Sequence, residues 1–171
     1  SMQASGKMRV GYFTQYQVEE LDRDATPLQH MTVQMQGATP SAVRAQLGRF
    51  GFSGAKATTE VGKLSGGERA RALMARVLAT RPDWLLADEP LANLDLAHAA
   101  ALVTQFRNQA AAGRGVVLVL HDLASAMNHA DRVIVLDRGA IAADGPPAHA
   151  LDTAVIARVW GVSARWLGEP G

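Results

Sequence analysis

Two adjacent acids close an apolar run in Trp84-Leu85-Leu86-Ala87-Asp88-Glu89-Pro90. A hard cation and an attacking water each need a carboxylate held at the rigid end of an element, and Asp88 and Glu89 offer one for each. The plainer alternative is a solvated strand end, where acids are common. Upstream stands Leu64-Ser65-Gly66-Gly67-Glu68, in which Ser65 and Glu68 have the spacing of a capping box at the start of a helix. The unpaired N–H groups and positive dipole end of such a turn form an anion site, glycines let a phosphate approach the backbone, and the Ser65 hydroxyl adds a donor. An ordinary serine-capped helix accounts for Ser65 and Glu68. It leaves Gly66 and Gly67 unexplained, since glycine costs about 1 kcal/mol inside a helix. His121 follows five consecutive apolar residues, 116–120, and is expected at the same sheet edge as Glu89. His30, His98, His129 and His149 have no comparable setting and are read as ordinary surface or packing residues.

The elements that must hold these groups follow from periodicity and caps. Residues 8–15 read as a short strand running into a loop, and 16–25, with Glu19, Glu20, Asp22 and Asp24, as a surface connection. Thr26-Pro27, with Gln29 completing a capping box, opens a helix whose Leu28, Met31 and Met35 share a face. Thr39-Pro40 opens a second, with Val43, Leu47 and Phe50 as its stripe and Gly51 as its stop. A third starts at Ser65 and runs to Thr80. Asp95 caps a long alanine-rich helix ending near Gly113. Strands are expected at 84–87 and 116–120, a short helix at 123–130, a hairpin at 132–136 and 140–143 around Asp137-Arg138-Gly139, and a last helix near 153–160. Continuous apolar strands alternating with helices predict an α/β fold with a parallel sheet covered on both faces.

Composition limits the function classes. The 171 residues are 48% hydrophobic and 19% charged, with a net charge of +1 and no cysteine. Disulfides, thiol nucleophiles and thiolate metal sites are excluded, and no broad nucleic-acid or membrane footprint is indicated. The apolar runs are strand-sized, well short of the roughly 20 residues of a membrane span. By default the compartment is read as cytoplasmic.

Taken together, Gly11-Tyr12-Phe13-Thr14-Gln15, Leu64 to Glu68, Trp84 to Pro90, Leu94-Asp95 and His121-Asp122 resemble, in order, the Q-loop, signature, Walker B, D-loop and switch histidine of the ATP-binding cassette (ABC) ATPases. The resemblance implies a partial P-loop NTPase fold with a helical subdomain, taken as one truncated domain over 1–171. Within it, 9–20 would be the Q-loop strand, 21–82 the helical subdomain with the signature, 83–148 the Walker B and switch core with the hairpin, and 149–171 the C-terminal helix and tail. ATP and Mg²⁺ are the implied ligands. Asp88 and Gln15 would bind the metal, Glu89 would act as general base, and His121 would contact the γ-phosphate and the catalytic water. Ser65, Gly66, Gly67, Glu68, Gln15 and Asp95 would serve nucleotide binding, Asp95 through a contact across a dimer. Residues 9–64 resemble an ABC-F protein, which points to a ribosome-associated translation factor. Residues 65–171 resemble the ATP-binding subunits of iron-chelate, haem and cobalamin importers, which point to a membrane permease as partner and a peripheral place at the inner membrane. A recombined, non-catalytic cassette is the third reading.

No Gly-x-x-x-x-Gly-Lys-Ser/Thr occurs in the 171 residues: Gly6-Lys7 and Gly62-Lys63 have neither the earlier glycine nor the hydroxyl residue. Charge-assisted bonds to phosphate contribute about 1.5–3 kcal/mol each, and every 1.4 kcal/mol is about tenfold in affinity. The isolated chain is therefore expected to bind ATP weakly or not at all and to show no turnover. The strand of a phosphate loop is expected beside the one ending in Asp88. Lacking it, the strands at 84–87 and 116–120 should want a pairing partner, and the chain should self-associate or take a partner that carries Walker A.

Overall fold

The computed structural model describes residues 8–14, 18 and 21–168, and Gln15 lies outside them. The chain divides into two compact units, one ending at Val119 and one starting at Leu120.

The first unit is α/β. Strands β1 (Val10–Thr14), β2 (Trp84–Asp88) and β3 (Gly115–Val119) form a parallel sheet in the order β1-β2-β3. The registers align Thr14 with Asp88 and Asp88 with Val119, so the three strands end together. This corrects the expectation that the Asp88 strand lacks a neighbour: β2 is central and paired on both sides. The reason is that β1, far away in sequence, pairs with the edge of β2 opposite β3.

Helices α1 (Pro27–Gln34), α2 (Pro40–Gly48), α3 (Gly66–Ala79) and α4 (Leu96–Ala111) complete the unit, with 3-10 turns at Gly54–Thr58 and Val61–Lys63. The caps are those expected: Thr26 with Gln29, Thr39, Ser65 with Glu68, and Asp95. Helix α3 buries Ala70, Ala72, Leu73, Met74, Ala75, Val77 and Leu78, almost its whole circumference, as a helix at the centre of a core must. Phe13 of β1 meets Phe106 of α4 edge to face, with ring centroids 6.0 Å apart. Phe13, Leu85 and Ala87 thus point into a core shared with α3 and α4. On the other face of the sheet Tyr12, Trp84, Val117 and Val119 are exposed, so the expected double cover is seen, within this unit, on one face.

The second unit contains α5 (Leu123–His129), the antiparallel hairpin β4 (Val133–Asp137) and β5 (Ala140–Gly145), α6 (Pro147–Ala150) and α7 (Thr153–Trp160). Its core gathers Met127, Val135 and Leu151, with Trp166 packed against it and donating its indole N–H to the Leu151 carbonyl at 2.9 Å. Arg132 and Asp144 meet in a two-bond fork, at 2.7 and 2.8 Å. Among the described residues no helix is long and apolar enough to cross a membrane.

Candidate functional site

The first turn of α3 is fixed from within and from outside. Ser65 Oγ accepts from the Glu68 amide at 3.2 Å, and Glu68 Oε2 accepts from the Ser65 amide at 2.9 Å. The other Glu68 oxygen takes a bond from Lys56 Nζ at 2.8 Å. The Lys56 ammonium first, then the Ser65 amide, holds the Glu68 carboxyl down at about 2. Glu68 is therefore a structural anion that locks the turn, and its charge is already partnered.

The two glycines in that turn have different reasons to be there. Gly66 is exposed, and a Cβ on it would meet nothing within 4 Å. Gly67 is buried, and a Cβ on it would overlap the imidazole of His98. The open face of the helix N-terminus is thus at Gly66, where backbone can come close to an anion. The second glycine serves packing.

His98 comes from α4. Asp95, the N-cap of that helix, accepts from the His98 amide at 2.9 Å with Oδ1 and meets the His98 ring Nδ1 at 2.6 Å with Oδ2. The amide of His98, then its ring, lowers the Asp95 carboxyl from its ordinary value. Sequence reasoning passed over His98. The signal was Asp95-x-x-His98, a helix-capping spacing with a ring at its end.

Asp88 and Glu89 stand at the C-terminal edge of the parallel sheet, where open α/β sheets place their ligands. Asp88 is exposed and Glu89 half-buried. The Glu89 amide donates to the Val119 carbonyl at 3.1 Å, which ties the turn after β2 to the end of β3. Glu89 sits at φ 45°, a left-handed conformation that costs a non-glycine residue about 1–3 kcal/mol and concentrates at functional sites. Among the described residues no group of three His, Asp or Glu side chains is gathered as a metal cage.

The structure therefore brings Ser65, Gly66, Gly67 and Glu68 together with Asp95 through His98, and sets Asp88 and Glu89 on the sheet edge. His121 belongs to the second unit, at its start, next to the N-cap of α5. There Asp122 accepts from the Ala124 and Ser125 amides and from the Ser125 hydroxyl at 2.6 Å, and the hydroxyl is the main cause of its lowered pKa.

The ABC transporter family model matches residues 2–92. The hemin import ATP-binding protein of Rhodococcus jostii (strain RHA1) is 52% identical over 107 residues, 63% of this chain and 37% of the relative. That of Rhodopseudomonas palustris (strain HaA2) is 36% identical over 184 residues, 92% of this chain and 70% of the relative. The chain thus spans well under half the length of the first of these. Among solved structures, a metal-chelate type ABC transporter in an inward-facing conformation superposes with a TM-score of 0.78 at 18% identity, over 92% of this chain and 68% of that one. The ATP-binding cassette MJ0796 bound to ADP and Pi superposes with a TM-score of 0.67 at 24% identity, over 82% of this chain and 63% of that one. At those identities the structures speak for the fold.

Proposed function

The chain belongs to the ABC transporter family, and from that premise we propose that it forms the signature and Walker B part of an importer's ATP-binding subunit. The cargo we propose is hemin or another iron chelate, after the names of its relatives, and the partner a membrane permease that holds the subunit at the cytoplasmic face. The observation that carries the reading is the first turn of α3, locked by Ser65, Glu68 and Lys56 and open to an anion at Gly66.

In this reading the Gly66 amide and the Ser65 hydroxyl close on the γ-phosphate of ATP held by a Walker A loop. Glu89 accepts a hydrogen bond from the attacking water and orients it. An exposed carboxylate such as that of Asp88 fits Mg²⁺, which keeps waters and substrate phosphate in its shell and needs only one or two protein carboxylates. Asp88 would be that ligand, with Gln15 as the second, and the ion would neutralise charge on the phosphates. Asp95 would contact a second subunit, and His121 would reach the γ-phosphate. By themselves the 171 residues carry no phosphate loop, so we expect the isolated chain to bind ATP weakly and to turn over none of it.

A graft tests this directly. Residues 64–122 replace the matching segment of the Rhodococcus hemin import subunit, which supplies its own phosphate loop. The graft should retain vanadate-sensitive ATP hydrolysis, and Glu89→Gln in it should lower kcat by about a hundredfold or more. A folded graft that hydrolyses nothing, or vanadate-sensitive turnover by the isolated chain, would count against the proposal.

A further inference from the structure

We propose that His98 is a positioning residue that couples the segment between β2 and α4 to the first turn of α3. The use of that coupling rests on the nucleotide-site reading above; the geometry does not.

One residue occupies both oxygens of the Asp95 carboxylate: the His98 amide on Oδ1 and ring Nδ1 on Oδ2. An ionised carboxylate only accepts, so Nδ1 carries the proton in that bond, and the tautomer and tilt of the ring are set by Asp95. The ring so fixed lies so close to Gly67 that a Cβ there would overlap it. Among the described residues, the Ser65–Glu68 box constrains the α3 turn from within, Lys56 from the turn at Gly54–Thr58, and His98 from the chain that follows Glu89.

The consequence is directional. A shift of the Glu89–Asp95 segment moves the Asp95 carboxylate, the carboxylate carries the imidazole, and the imidazole bears on Gly67. Gly66, the open glycine, is the next residue. Two turns separated in sequence by the whole of α3 and β2 thus respond together. A glycine at position 67 is required because only Cα–H leaves room for the ring to bear on the backbone itself.

The test is a coupling measurement on the ¹⁵N-labelled full chain, with no nucleotide present. Asp95→Asn keeps a good N-cap but weakens the hold on the ring. In the parent chain it should move the Gly66 and Gly67 amide signals by more than a linewidth. In a His98→Ala background the same change should leave both signals where His98→Ala alone put them. An equal response in both backgrounds, or no response in the parent, overturns the proposal. Should His98→Ala lose its native spectrum, His98→Phe keeps a ring on Gly67 without the Asp95 bond, and there too Asp95→Asn should leave Gly66 and Gly67 unmoved; a response in that background overturns the proposal. Because no readout involves ATP, failure here leaves the nucleotide-site proposal standing, and failure of the graft leaves this one standing.

Discussion

Alanine at the two neighbouring glycines of the α3 turn should act in opposite directions. In a helix, replacing glycine by alanine gains up to about 1 kcal/mol by reducing the freedom of the unfolded chain. At Gly66 nothing opposes that gain, since the new methyl meets nothing within 4 Å. Gly66→Ala should therefore be stabilising by about 0.5 kcal/mol, allowing for its place in the first turn. At Gly67 the methyl overlaps the His98 ring, and even the His98 Cβ would stand only 2.8 Å away. Overpacking of this kind costs about 1–3 kcal/mol, so Gly67→Ala should be destabilising by about 1–2 kcal/mol after the propensity gain. Urea unfolding followed by circular dichroism reads both variants, with midpoints moving in opposite directions and slopes unchanged. The double variant Gly67→Ala/His98→Ala should recover at least about 1 kcal/mol of coupling energy. If Gly67→Ala is as stable as Gly66→Ala, or if none of its cost is recovered on removal of the ring, the packing account of Gly67 is wrong. In the catalytic graft the order should reverse. Gly66→Ala, the more stable protein, narrows the phosphate approach and should lose turnover.

The Glu68 carboxyl is held below its ordinary value, so the stability it contributes is complete above about pH 4.5 and is lost as pH falls from there toward 2. Lys56 is 59% exposed, so the gap between parent and Glu68→Gln should be only about 1 kcal/mol at neutral pH; urea unfolding should find it closing near pH 2, and a pH-independent gap would refute the assignment. In the β4–β5 hairpin, Arg138 at φ 49° and Gly139 at φ 81° form a two-residue left-handed turn that favours Asn-Gly. Arg138 is almost fully exposed and, among the described residues, makes a 4.0 Å contact with Asp137, so Arg138→Asn should raise stability by about 0.5 kcal/mol in thermal unfolding. A loss would show that the arginine has a role its exposure hides.

Local rules made much of this chain legible. Thr26, Thr39, Ser65 and Asp95 are side chains that choose where a helix starts, because each satisfies amides left unpaired in the first turn. Apolar runs bounded by Pro82, Pro90 and Gly113 gave the parallel strands, and the acids after Ala87 gave the edge that carries chemistry. The signature and Walker B residues were readable for the same reason: their spacing is set within one turn or one strand. The failures concerned neighbours. Local pattern alone leaves the Asp88 strand without a partner, because the pairing between residues 10–14 and 84–88 is a long-range event that no local pattern encodes. His98 was passed over because its meaning lies in Gly67, which belongs to a different helix.

The sequence by itself determined the elements, their caps and the order of the phosphate-handling residues, since each depends on groups a few bonds apart. Tertiary structure alone decided which strand lies at the centre of the sheet and why the two glycines of the signature differ. It made Gly66 the open one, able to face an anion, and Gly67 the packed one, pressed by a ring fixed on Asp95. That distinction is a matter of which surfaces meet when α3 and α4 pack, and the spacing of Ser65, Gly66, Gly67 and Glu68 is the same either way.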